Sequence, residues 1–529
     1  MILLLLGMSL TFDVQAEPKT WTVDDDGPAD FHTIQEAINT ANNGDTIFVA
    51  AGTYCEQVIV NKSVSLTGED KYNTIIDGND TVTPLTVVSD NVKINEFTIQ
   101  NSSKLDPAPN PGTDGLYMES DNCLVTNCVI SDNARGIRIY RSMNNTFYGN
   151  IIRDNWETGF LVAGYCGSNN LDSNNVSENG VGIHLYRNHY SNNLSNNKLT
   201  NNHYNFKIEM ESSALHPQLR DLIHHIDSSN TVDGKPMYYW VNEHDKQIPE
   251  DAGHVALINS TNIVVRNLNL SNNWQGVLLA YTTNSTVEEV NAFNNSIGIS
   301  LYESYQNKLI NNTVTDNSDG ILLDQSDYNI VTGHTITNNS YSGILIDGWS
   351  SNNTFHKNDI TDNYDGICIT IGSDNKFYHN NFINNEYHAY IYNLSYFYPP
   401  HIYKSSNNTW DDGYPSGGNY WSDYTGADVK SGPYQNETGS DGIGDAPYII
   451  DENNRDNYPL MEPWSPPRSI LGDLNNDGTV NIGDIAIVAK AFGSYIGHRR
   501  WDSAADMNKD DVIDILDIAL VARNFGETA

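Results

Sequence analysis

Beyond residue 115 the chain alternates short apolar runs with asparagine at a nearly fixed interval. Each run starts at a glycine and then alternates apolar with polar or aromatic positions: "RGIRIY", "TGFLVA", "VGIHLY", "QGVLLA", "IGISLY", "DGILLD", "SGILID" and "DGICIT". Their glycines (Gly136, Gly159, Gly182, then Gly276, Gly298, Gly320, Gly343, Gly366) recur every 22 or 23 residues within each of the two groups. "DGLYM" at Gly115 adds an earlier copy. Each period then carries two more apolar positions five residues apart, such as Leu309 and Val314, or Phe377 and Phe382. One helical face cannot produce a repeat of this length from such short β-branched runs, so each period reads as three short strands.

Asparagine punctuates these strands. Asn145, Asn169, Asn192, Asn307, Asn329, Asn353 and Asn375 precede the first apolar position by two residues. Asn155, Asn179, Asn202, Asn295, Asn317, Asn339, Asn363 and Asn385 follow the second by three. Coils wound as a parallel β-solenoid would stack such positions at about 4.8 Å, where asparagine amides can bond from coil to coil. The pattern therefore predicts an all-β parallel β-helix over 17–408 whose asparagines are structural. A solenoid needs covered ends. Thr33 to Glu36 has capping-box spacing before a short amphipathic helix, which is expected to close the first end. The aromatic, Gly-rich segment 409–461 is expected to cover the other. Between Asn205 and Gly276 the period is lost, and wider coils with inserted loops within one continuous stack are expected there.

The "DFHTIQEAI…GDTIFVAAGTY" start, the asparagine coils and the closing "GNYWSDY…DGIGDAPYIID…DNYPLM" together resemble the NosD-like β-helix proteins, over roughly residues 20–462. The resemblance implies a right-handed parallel β-helix of the pectate-lyase-like, carbohydrate-associated type, of the kind found on archaeal surfaces. Its namesake is linked to copper-site maturation in nitrous oxide reductase, and a copper role is the third function it suggests. His224-His225 and the other histidines show no repeated ligand spacing, and methionine is sparse, which argues against copper.

The Pro-rich 462–469 reads as a linker. Two copies of one unit follow, "GDLNNDGTVNIGDIAIVAKAFG" and "ADMNKDDVIDILDIALVARNFG". The first loop offers oxygen ligands from Asp473, Asn475, Asp477, the Thr479 carbonyl, Asn481 and Asp484, with Gly478 at the turn. The second offers Asp506, Asn508, Asp510, Asp514 and Asp517, with Asp511 replacing the turn glycine. Alternating oxygens of this kind converge on calcium, so two Ca²⁺ ions are expected. The duplicated loop–helix pair, 470–529, resembles a type I dockerin with an all-α fold. It implies calcium-dependent docking to a cohesin-bearing protein. The Ser-Thr recognition pair of cellulosomal dockerins is replaced by Ile482-Gly483 and Ile515-Leu516. Ile482, Ile515 and Leu516 are thus the expected partner-binding residues, for an apolar contact with a surface cohesin.

Charge narrows the partners. The 529 residues carry 67 acidic against 28 basic side chains, a net −39. That field repels nucleic acid, and polyanionic sugars too unless divalent cations bridge them. "MILLLLGMSLTFDVQA" reads as a signal peptide, 1–16, although it lacks a basic start. No segment reaches the length of a membrane span, so a secreted, surface-attached protein is expected. Five cysteines show neither a disulfide framework nor metal-ligand grouping.

On the glycine strands, alternation turns Arg138, Tyr140, His184, Tyr186, Tyr302, Asp324 and Asp347 outward. These make a column of tyrosine, base and carboxylate fit to lie under a sugar chain. Asp324 and Asp347 hold equivalent places in adjacent coils, about 5 Å apart, and could share a proton for acid–base work on a glycosidic bond. The acid pairs of polygalacturonases and the Asp-Pro-His-Asp of alginate epimerases are missing. The sequence leaves three readings open: a polysaccharide hydrolase or lyase, a non-catalytic scaffold binding glycan or protein, and the copper role.

Overall fold

The computed structural model describes residues 17–103, 113–186, 191–209, 218–392, 407–466, 470–475 and 478–528. The segment read as a signal peptide and Asp477 lie outside them. Two compact units divide between Glu462 and Pro463.

In the larger unit the strands pair in parallel with their equivalents one period away, as in Ile137↔Phe160↔Ile183 and Ile321↔Ile344↔Ile367. All six of these side chains are buried. The recurring glycine follows from how closely coils approach: a Cβ on Gly136 would meet the Gly159 carbonyl oxygen at 2.5 Å, and one on Gly320 would meet that of Gly343 at 2.4 Å. Both expected asparagine ladders form. Asn307 Nδ2 donates to Asn329 Oδ1 at 3.2 Å, and Asn329 Nδ2 to Asn353 Oδ1 at 3.1 Å. Asn317, Asn339 and Asn363 repeat the contact at the other corner. A third ladder, not foreseen, runs through the turn inside each apolar pair: Asn358 Nδ2 bonds Asn380 at 2.8 Å, and Asn380 Nδ2 bonds Asn419 at 2.9 Å. His334 takes the place of asparagine in it, between Asn312 and Asn358. The ladders satisfy amides that the coil corners bury.

Helix α1 (Ile34–Thr40) buries Ile34, Ala37 and Ile38, and Thr33 accepts the Glu36 amide as expected. At the far end, Trp410 stacks on Phe377 (4.2 Å between centroids) and Trp421 on Phe382 (4.4 Å). Tyr448 stacks on Trp421 in turn. Asp456, from the closing motif, accepts from the Asn419 amide and from Trp421 Nε1.

The period break is not a set of wider coils in one stack. Thr231–Val232 pairs antiparallel with Lys235–Val241 across Asp233 and Gly234, both at positive φ (48° and 82°). The chain reverses there, yet one 16-stranded sheet runs straight through the hairpin, joining the strands that carry the second apolar position in the first solenoid to glycine strands of the second. Two hydrophobic cores result, one on each side of that sheet. Val255, Leu257, Val277, Leu279, Ile299 and Leu301 face the second core. Their neighbours Ala256, Ile258, Leu278, Ala280 and Tyr302 belong to the first. Leu219 and Leu222, from the inserted segment, pack in that same core.

In the smaller unit, α2 (Ile482–Ala491) and α3 (Ile515–Arg523) follow the two loops. Each loop's exit pairs with the chain just past the other helix. Val480 N bonds Glu527 O, and Ile513 N bonds Ser494 O, both at 2.9 Å.

Candidate functional site

The outward positions of the second solenoid change character along the shared sheet. Tyr302, expected on the surface, is buried: it packs with Tyr281 in the first solenoid's core, because the shared sheet has no solvent face there. Two strands on, cover ends. Asp324 and Asp347 are register partners on adjacent strands, as expected. Asp347 Oδ1 is held by the Gly348 N–H at 2.8 Å and by the Thr370 hydroxyl.

Where each turn enters its glycine strand, at the opposite end from Asp324 and Asp347, stands a second column that holds acids. Asp319, Ser342, Asp365 and Tyr387 occupy equivalent places in four coils. Ser342 N donates to Asp319 Oδ1 at 3.2 Å. Asp365 Oδ1 is buried without a hydrogen-bond partner. Burial is the main cause that raises the Asp365 carboxyl to about 6, with a hydrogen bond from the Cys368 thiol opposing it and Asp319 adding to it. Burial also pushes the neighbouring Cys368 thiol up to about 12, helped by Asp365, Asp319 and Asp347, so it stays protonated. Three tyrosines border the acids: Tyr341, Tyr364 and Tyr387 are 64%, 53% and 46% exposed. The rings of Tyr364 and Tyr387 lie 5.7 Å apart, and Tyr387 is 5.8 Å from Tyr390. Sequence reasoning missed Asp319 and Asp365, although the Asp-Gly of "SDGILLD" and "YDGICIT" marks both.

Arg138, Tyr140, His184 and Tyr186 do come together, but on the first solenoid's own glycine-strand sheet, so the expected single column is two. The Arg138 guanidinium lies 5.6 Å from the Tyr117 ring and 5.5 Å from Tyr140. Asp114, bonded to Arg135 at 2.7 Å, is 3.8 Å from Arg138. Further along, Glu209 takes Lys207 at 2.9 Å and His184 Nε2 at 3.1 Å. Burial holds His184 below the ordinary imidazole range, so it meets Glu209 as a neutral ring. The face is charged but internally paired.

The loops of the smaller unit share one geometry. Asp484 Oδ1 accepts from Leu474 N and Asn475 N at 2.7 and 3.1 Å, and Oδ2 from Asn481 N at 2.8 Å. Asp517 accepts from Met507, Asn508 and Asp514 in the same way. Both carboxylates are buried and also complete capping boxes on α2 and α3. Asp473 takes the Gly478 N–H and Asp506 the Asp511 N–H, which curls each loop about its first residue. Gly478 and Asp511 both have positive φ, 82° and 68°, so aspartate does stand in for the turn glycine. Asn475, Asn481, Asn508, Asp510 and Asp514 complete an all-oxygen donor set. It fits calcium, which would neutralise the carboxylates each loop gathers. Ile482, Ile515 and Leu516 are 71%, 62% and 55% exposed, apolar side chains standing in water at the helix starts.

A family described as periplasmic copper-binding protein (NosD) matches residues 38–216 and 223–426. The chain belongs to the NosD family. A dockerin type I domain matches residues 471–526 of this NosD-family chain. No curated protein matches it. Among solved structures, the mannuronan C-5 epimerase AlgE4 A-module of Azotobacter vinelandii is similar at 15% identity, over 68% of this chain and 92% of that one, with a TM-score of 0.30. The pectin methylesterase PemA from Erwinia chrysanthemi is similar at 13% identity, over 50% and 81%, with a TM-score of 0.29. Overlaps this weak say nothing about the chemistry of the NosD-family chain.

The family's description invites a test of copper. Copper sites are built from imidazole, thiolate and thioether. Here the buried histidines His224, His254 and His334 are spread along the solenoids, each pushed down to about 4 by burial. Among the described residues, the one group of three ligand-bearing side chains within 4.8 Å of one another is Asp24, Asp25 and Asp26. Three carboxylates suit a hard cation, and among the described residues no such group offers copper the imidazole or thiolate it prefers.

Proposed function

We propose that this NosD-family chain is an extracellular, surface-attached polysaccharide-recognition protein. The second solenoid lays a glycan along its acidic and tyrosine-lined edge, and the calcium-folded dockerin fastens the chain to a cohesin-bearing partner. The row Tyr341, Tyr364 and Tyr387 carries the reading. Tyr341 and Tyr364 hold equivalent places on successive coils and Tyr387 stands one residue on in the next, so exposed rings offer flat apolar faces to sugar rings. Asp324 and Asp347, at the other ends of these strands, accept hydroxyls farther along the glycan. A net charge of −39 favours a neutral glycan, or an acidic one bridged by calcium.

The dockerin half rests on the match over residues 471–526 and on two loops with the same oxygen donors. Among the described residues no helix is long and apolar enough to cross a membrane. In this reading, attachment comes from the exposed Ile482, Ile515 and Leu516. Electrophoresis of the full chain through gels containing soluble polysaccharides, with calcium, tests recognition. Retardation by at least one glycan is expected, and unchanged mobility in all of them contradicts the reading.

A further inference from the structure

Where the two solenoids part, an open cavity of about 510 Å³ lies between them. Its first wall is His203 and Tyr204, at the start of the first solenoid's last glycine strand, Tyr204–Ile208. The opposite wall is a column of turns in the second solenoid, where Asn272, Asn294, Asp316 and Asn338 stand on four successive coils. Three coil steps make that wall about 14 Å long. The volume lies within the roughly 300–1,000 Å³ of ordinary small-ligand pockets. We propose that this notch is a subsite for an uncharged sugar of the bound glycan. The step rests on the glycan reading above and names the class of sugar.

The notch is assembled before any ligand arrives. Asn205 N donates to Asn272 O at 2.6 Å and Trp274 N to Phe206 O at 3.0 Å, which ties the two solenoids together beside it. Trp274 stands edge-on to Tyr204, 5.2 Å between centroids, and Lys207 Nζ sits 3.5 Å from the centre of a Trp274 ring. The His203 ring lies 4.2 Å from that of Tyr204. Walls fixed in this way leave little ordering to be done on binding.

The lining selects the ligand. Asn294, Asp316 and Asn338 are exposed, whereas the residues that follow them, Asn295, Asn317 and Asn339, are buried and spent on the ladder. An asparagine amide offers two N–H donors and an acceptor oxygen, and the Ser318 and Ser340 hydroxyls donate and accept as well. Sugar hydroxyls have the same double character, and the Tyr204 and His203 rings supply an apolar face beside them. Among the described residues, Asp316 is the one acid in the lining, and no lysine or arginine joins it. A carboxylated or sulfated sugar would meet no counter-charge there.

The notch adjoins the tyrosine row. Ser340 lines the cavity, Tyr341 follows it in the chain, and Tyr364 stands on the next coil. Tyr387, at the far end of the row, lines a second cavity of about 360 Å³ together with Asn384, Glu386 and Tyr448. There too the described lining holds acids and no lysine or arginine, so both ends of the row disfavour anions.

The test runs the full chain with calcium through gels containing xylan, β-mannan, dextran or polygalacturonate. Retardation by at least one of the three neutral polymers is expected, and none by polygalacturonate. Asn294 and Asn338 have positive φ, 52° and 58°, so glycine removes their amides without straining the turns. The doubly substituted Asn294→Gly, Asn338→Gly chain and a His203→Ala chain should each bind the retarding polymer about five- to tenfold more weakly, with the melting temperature kept. Parent-like affinity in either variant, or polygalacturonate retarding the parent as strongly as any neutral polymer, overturns the notch assignment and leaves the glycan reading standing. A parent that no polymer retards contradicts the glycan reading itself, and the notch assignment falls with it.

Discussion

Leu278 and Leu279 are neighbours on one strand, and each is buried in a different hydrophobic core. In a simple solenoid one of them would face water. Here the chain reverses at Asp233-Gly234 while its sheet continues, so both faces of the first strands after the hairpin are interior. Alanine at either position is expected to cost about 2–5 kcal/mol, the range for emptying a packed leucine site. Leu345, in the same column but two strands beyond Tyr302, is only partly buried and should cost clearly less. Urea unfolding of the three variants checks this. A negligible cost at Leu278 would mean that the two solenoids do not share the sheet.

The ladder makes a separate prediction. Asn329 bonds the amides of Asn307 and Asn353 and a backbone carbonyl, all away from water. Asn329→Ala leaves buried groups unpaired, at about 1–3 kcal/mol for each. Asn329→Ser should recover part of that, since Ser285 already holds a ladder place. Thermal melts should rank the parent above serine and serine above alanine.

His334 gives the pH dependence. Its folded pKa is near 4, against about 6.5 when unfolded. Between those values the unfolded chain binds the extra proton, so stability is full above pH 6.5 and falls as pH drops toward 4. His224 and His254 act in the same direction. His334→Asn restores the ladder's usual residue and should flatten the acid limb of a melting-temperature profile while the fold is kept. An unchanged acid limb would contradict the assignment.

Calcium removal should act on the smaller unit alone. EGTA is expected to unfold α2 and α3, seen as lost ellipticity at 222 nm, while the β-solenoid signal stays. Asp517→Ala removes a ligand and, together with it, the capping-box acceptor in the first turn of α3 that takes the Asp514 N–H, so it should destabilise that helix by about 1 kcal/mol even without calcium. Full helicity in EGTA would show that the loops fold without the ion.

The period of the fold was plain in the sequence because glycine and asparagine are each forced by a contact between coils. Gly320 has no room for a Cβ, and Asn317 needs a partner at one coil spacing. The third ladder escaped notice because His334 interrupts it. The reversal was written in "TVDGKP", an Asp-Gly hairpin signal, but the alternation around it fits a widened coil equally well. The burial of Tyr302 could not be read from its own repeat. It depends on the first solenoid's core covering the outer face of the shared sheet, a core in which Leu219 and Leu222, from a segment with no period at all, also pack. Asp324 and Asp347 were legible as register partners, whereas Asp319 and Asp365 needed the turn geometry that places them at the strand entrance.

The most direct measurement compares two faces of the same protein. The doubly substituted Tyr364→Ala, Tyr387→Ala chain and a matched Tyr117→Ala, Tyr140→Ala chain would be run beside the parent in polysaccharide gels with calcium. The account predicts that the first pair loses retardation at least tenfold in apparent affinity and that the second keeps it. Loss confined to the second pair, or retardation unchanged in both, would contradict glycan recognition by the tyrosine-lined edge of the second solenoid.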